Sequence, residues 1–141
     1  MKISISKPPI WDLVHAKFPL IDDRRTVYTY GDTLYNPAGG YVDSALMAHE
    51  ETHMRQQAKT APDAWWIKYA HVRQFRFEEE VEAYKNQASH FAKTNKDRNA
   101  QARFVWVLAE ALAGPMYDLN ITHTEAQRAI RTGICHTLEN T

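Results

Sequence analysis

The sequence predicts an α+β fold that is mainly helical, with a small N-terminal β-hairpin or sheet packed against about four to five helices. Three observations carry this expectation. The run Thr26-Val27-Tyr28-Thr29-Tyr30 is β-branched and aromatic, and Gly31-Asp32 separates it from Thr33-Leu34-Tyr35 by a two-residue loop suited to a tight hairpin. From Asp43 onward, segments with helical periodicity follow one another between polar or Pro/Gly breaks. No repeat, low-complexity tract or linker divides the 141 residues, and a 44% hydrophobic content suffices for one compact domain over residues 1–141.

Taken in order, Lys7-Pro8-Pro9 and Phe18-Pro19 make the beginning read as an irregular arm or short strand. After the hairpin, Asn36-Pro37 and Ala38-Gly39-Gly40 turn the chain into a helix capped by Asp43, with no Gly or Pro between Tyr41 and Ala61. Asp63 is expected to cap a helix through Ala64–Tyr69. A longer helix follows from Arg73 to Lys93, with a kink between the two. Beyond the polar break at Thr94–Asp97, Phe104–Ala109 is apolar around its circumference, so the helix from Arg98 to Ala113 reads as a buried core helix ending at Gly114-Pro115. Thr122 and Glu125 have capping-box spacing and start a last short helix that Gly133 closes.

The sharpest functional signal is His49-Glu50-Glu51-Thr52-His53, an HExxH spacing inside the first long helix. Residues four apart share a helix face with Cβ atoms about 5–6 Å apart, so both imidazoles can reach one ion. Val42, Ala45 and Leu46 lie on the same side, which turns the two histidines inward. Glu50 falls on the flank of that face, placed to take a proton from a metal-bound water without ligating the metal. Glu51 points the other way and reads as a solvated carboxylate.

A catalytic zinc site needs a third protein ligand. Arg76–Tyr84 offers four carboxylates on a second helix, whose buried stripe is Phe77, Val81, Tyr84, Ala88 and Phe91. Glu80 lies about 60° from the centre of that stripe, whereas Glu78, Glu82 and Glu79 lie about 100° to 160° away. Glu80 is therefore the inward carboxylate, and the other three read as a wet, charged face.

With HEETH followed by Glu80-Val81-Glu82-Ala83, the chain resembles the zincin metallopeptidases of the gluzincin type, whose third ligand is the glutamate of an ExxA-like element on the next long helix. The resemblance spans residues 26 to 90. It implies a single zincin-like domain with Zn²⁺ on His49, His53 and Glu80, Glu50 as the general base and a peptide or protein as substrate. It also implies that the hairpin strand runs along the cleft edge and pairs with an extended peptide. Many gluzincins carry an aspartate four residues after the glutamate ligand to orient the first histidine; here that position is Tyr84, so the outer partner of His49 is unassigned. That departure keeps a second expectation open: a catalytically weak zincin-like binding or regulatory module whose zinc stabilises the fold. A third is a metal-free helical bundle. For an oxyanion-stabilising donor, Tyr69, His71, Arg76, Tyr84, Tyr117 and His123 are all chemically capable.

Composition narrows the classes. Lys plus Arg and Asp plus Glu are 17 each, so no basic excess draws the chain to nucleic acid. No run of signal-peptide character opens the sequence and no stretch approaches 18 apolar residues, which points away from the membrane and to a cytoplasmic protein. Cys135 is the only cysteine, excluding an internal disulfide, and it reads as a small packed residue.

Overall fold

A computed structural model gives the fold and describes residues 1–139. The hairpin forms as expected: β2 (Tyr28–Tyr30) and β3 (Thr33–Tyr35) pair antiparallel with Tyr30 opposite Thr33. Gly31 takes φ 63° in the turn, where a side chain would be strained. A third strand, β1 (Lys2–Ser4), pairs parallel with β3, so the sheet order is β1-β3-β2 and β2 is the edge that packs on the helices.

The N-terminal arm is not irregular throughout. Residues Trp11–Lys17 form a helix, α1, with Ile10, Val14 and Phe18 buried at intervals of four. Seven residues without a side-chain cap cannot hold a helix by themselves, so α1 exists because that stripe packs against the rest of the molecule. The preceding prolines and its brevity hid it from the sequence.

The metal-motif helix is α2 (Ser44–Ala58), and Asp43 caps it by accepting from the Leu46 amide at 2.8 Å. Helix α3 spans Pro62–His71, with Ala61 rather than Asp63 at the N-cap and Pro62 in the first turn, where its missing N–H costs nothing. Asp63 instead accepts from the Tyr30 hydroxyl at 2.9 Å. Val72 alone is extended (φ −114°, ψ 101°), so α3 and α4 (Arg73–Thr94) are two helices that break where the kink is expected between them. Helix α5 (Arg98–Leu112) buries Leu108, Ala109 and Leu112, but Trp106 and Val107 stand about half exposed, so it is not the buried core helix that its apolar run suggests. A 3₁₀ turn at Pro115–Tyr117 leads to α6 (His123–Thr132), where both arms of the Thr122–Glu125 capping box are made and Gly133 closes the helix at φ 73°.

Two apolar clusters result. One joins Phe77, Val81 and Tyr84 of α4 to Leu112, Leu119 and Ile130; the other joins Val14 and Phe18 to Tyr28, Trp65, Trp66 and Tyr69. Helix α2 touches both, through His49 on Tyr84 and His53 on Trp65. No helix among the described residues is long and apolar enough to cross a membrane.

Candidate metal centre

The buried face of α2 is mostly polar: Ala45 is joined there by His49, Glu50, Thr52, His53, Gln56 and Gln57. Burying polar side chains costs free energy unless each finds a partner, so such a face is retained for its chemistry or its bonds. The partners come from α4. His49, His53 and Gln56 stand at i, i+4 and i+7 on α2, and Glu80, Tyr84 and Gln87 repeat that spacing on α4, so each trio falls within about 60° of its helix and the two faces meet.

At the meeting point, His49 Nε2 and His53 Nε2 are 3.1 Å apart, and Glu80 Oε1 is 3.1 Å from the first and 3.3 Å from the second. Three ligand atoms on a tetrahedral zinc at about 2.0–2.1 Å stand roughly 3.3 Å from one another, so the triangle has the right size. All three residues are buried. Glu80 Oε1 is enclosed without a hydrogen-bond partner, one of two such atoms among the described residues, whereas Oε2 accepts from the Tyr69 hydroxyl at 2.6 Å. An orphaned carboxylate oxygen facing two imidazole nitrogens fits a cation, and this buried group can hold a metal ion.

The opposite ring nitrogens are also engaged. His49 Nδ1 is 3.0 Å from Gln87 Oε1, and His53 Nδ1 is 2.8 Å from Gln56 Oε1. Gln87 thus occupies the outer role for which the sequence offered no partner. Tyr84, at the position of the usual aspartate, sets its ring edge-on to His49 with centroids 4.5 Å apart and exchanges a 2.7 Å hydrogen bond with Tyr117. Gln56 and Gln87 carried a readable sign in their spacing, three residues past His53 and seven past Glu80, yet uncharged amides on helices look like surface residues.

Glu50 is buried beside the triad, and its Oε2 accepts from Thr29 Oγ1 at 2.8 Å. Thr29 is held in turn, because its carbonyl accepts from Gln57 Nε2 at 2.7 Å and Trp66 Nε1 at 2.9 Å. Those two bonds close the β2 edge at Thr29, so the strand does not offer that carbonyl to an extended peptide as the resemblance implied. The four acidic residues of α4 separate as follows. Glu80 is in the site; Glu78 and Glu82 are exposed; Glu79, expected on the wet face, is partly buried and accepts from the Trp65 indole at 3.0 Å.

His49, Glu50, His53 and Glu80 line one cavity of ≈ 70 Å³, whose other walls include Phe18, Ile21, Val27 and Met116. Of the candidate oxyanion donors, Tyr69 and Tyr117 reach this cavity. Arg76 does not qualify: it is buried, and its guanidinium donates to the carbonyls of Tyr69 (2.6 Å), Ala70 (3.5 Å), Tyr117 (2.7 Å) and Asp118 (3.2 Å). His71 is exposed, and His123 lies at the surface against the Trp106 carbonyl.

The electrostatics follow from enclosure. Burial pushes the His53 ring toward neutrality, but the adjacent Glu80 carboxylate outweighs it and holds the ring up at about 9. Burial likewise opposes ionisation of Glu80, yet the charges of His53 and His49 keep it well below the usual carboxylate range. Without a metal the triad therefore stores one proton between His53 and Glu80. Tyr69 stays protonated far above its ordinary range, first because it is buried and then because Glu80 is next to it. Cys135 lies half-buried outside the site, its thiol raised to about 11 by burial and by Glu78, consistent with a packed, unreactive residue. No family model, curated protein or solved structure matches this chain.

Proposed function

We propose that the chain is a zinc-dependent peptidase of gluzincin-like design. The single observation that carries the reading is the convergence of His49 Nε2, His53 Nε2 and the orphaned Glu80 Oε1, with Glu50 on the wall of the same cavity. Two imidazoles and a carboxylate suit zinc and leave one coordination position for the reaction. When bound, zinc supplies Lewis acidity, polarising a carbonyl and bringing the pKa of a water toward about 7. The protein's residues do the rest. Glu50 receives the proton from the attacking water and delivers it to the departing amine, with Thr29 fixing one of its oxygens. Tyr69 pins Glu80 Oε2 and so keeps Oε1 turned toward the histidines. Phe18, Ile21, Val27 and Met116 form apolar walls that restrict water.

The test is Glu50→Gln. It should retain stoichiometric zinc while peptide turnover falls by about 10²–10⁴. Turnover at the wild-type rate would remove Glu50 from the mechanism, and a wild type that takes up no zinc would remove the whole reading.

A second reading, a binding module whose zinc stabilises the fold, is favoured by the closed β2 edge and the small cavity. Zinc that raises the melting temperature of a protein inert toward peptides of every length would select it.

A further inference from the structure

We propose that Gln87 and Gln56 are positioning residues that fix both histidines as Nδ1–H tautomers, and that their neutrality leaves the metal more loosely held and more electron-poor than carboxylate partners would. This rests on the zinc reading above. Both amides are buried, and each meets a different ring from a different helix. For Gln56 the orientation is over-determined: its Nε2 donates to the Glu79 carbonyl at 3.0 Å and to Glu82 Oε1 at 2.7 Å, so Oε1 is the atom left for His53. An amide oxygen only accepts. The hydrogen therefore sits on His53 Nδ1, and Nε2 is the nitrogen left to face His49 Nε2 and Glu80 Oε1. Gln87 does the same for His49 from across the helix pair. The Tyr84 and Trp65 rings flank the two imidazoles and restrict their rotation.

The chemical consequence comes from charge. A divalent ion and one carboxylate ligand leave the ligand shell with a net positive charge, and two amides add nothing to offset it. A carboxylate behind an imidazole makes that ring a stronger donor, whereas an amide aligns the ring without doing so. The chain thus keeps the orientation and gives up part of the affinity.

The experiment measures zinc affinity of the full chain by competition with a chromophoric chelator, for wild type, Gln87→Met and Gln87→Glu. Gln87→Met should bind about 10–100-fold more weakly, and Gln87→Glu about tenfold more tightly than wild type. A residue that merely fills space would lose no affinity on conversion to the similarly sized methionine. Nitrogen NMR of zinc-loaded wild type supplies a readout that needs no variant to fold: both rings should carry a slowly exchanging Nδ1–H and ligate through Nε2. The inference is overturned if Gln87→Met stays within about twofold of wild type, if Gln87→Glu is no tighter than wild type, or if either ring ligates through Nδ1. Those results would leave the peptidase reading standing, whereas a wild type without zinc would remove that reading itself.

Discussion

Glu79 and Glu80 are neighbours with the same side chain, and one turn of about 100° gives them different chemistry. Glu80 faces two imidazoles in the interior; Glu79, partly buried, accepts from the Trp65 indole of α3. Glu80→Ala should weaken zinc by more than the roughly 10–100-fold that losing an outer hydrogen-bond partner costs, while Glu79→Ala leaves zinc near wild type and loses about 1 kcal/mol of stability. Equal zinc losses in chelator competition would defeat the ligand assignment. Helical periodicity was enough to single out Glu80, because its angle to the Phe77–Val81–Tyr84 stripe is a local property. The part-burial of Glu79 was not legible, because Trp65 belongs to another helix whose approach no local pattern encodes. Thr29 was invisible for the same reason: it reads as an ordinary strand residue until β2 is laid against α2.

At the scale of elements, α2 and α4 are joined by a polar seam. Besides the triad it contains Asn86 to Thr52 Oγ1 at 3.0 Å and the Gln56 bonds to Glu79 and Glu82. Its pH response has two limbs in metal-free protein. The His53 ring is raised from 6.5 to about 9, so its stabilisation is complete below pH 6.5 and is lost as pH rises through about 9. Glu80 is depressed from 4.5, so its stabilisation is present above pH 4.5 and is lost as pH falls below it. The seam is therefore firmest between pH 4.5 and 6.5, and the melting temperature should decline on both sides. Zinc binding at pH 7 should expel one proton per ion, seen as a buffer-dependent heat in titration calorimetry that fades above about pH 9. No buffer dependence at pH 7 would mean that His53 is neutral before the metal arrives. Helices α2, α4, α5 and α6 were readable because caps and breaks are short-range signals. Helix α1 was not, since seven residues behind two prolines carry too little pattern. The burial of α5 was overread, because an apolar sequence cannot say which side of a helix finds a neighbour.

For the molecule as a whole, the mainly helical α+β class was legible, while the parallel strand β1 was not, because its partner lies about thirty residues away in sequence and parallel pairing leaves no turn signal. The larger arrangement is two apolar clusters bridged by a helix whose inner face is polar. Arg76 ties together segments distant in the chain. Its cation lies over the Phe18 ring at 5.0 Å while its donors reach the end of α3 and the turn before Leu119. The planar guanidinium spreads its donors so that Nε, Nη1 and Nη2 reach carbonyls of two separate segments, whereas a lysine ammonium gathers its three donors at one point and cannot span both. Arg76→Lys should therefore couple two otherwise separate openings: amide exchange at Val72 and Asp118 should accelerate in parallel while α6 keeps its protection. The back wall of the cavity would then breathe as a unit, and the rate at which a bound ion escapes would be set by a residue that never touches it.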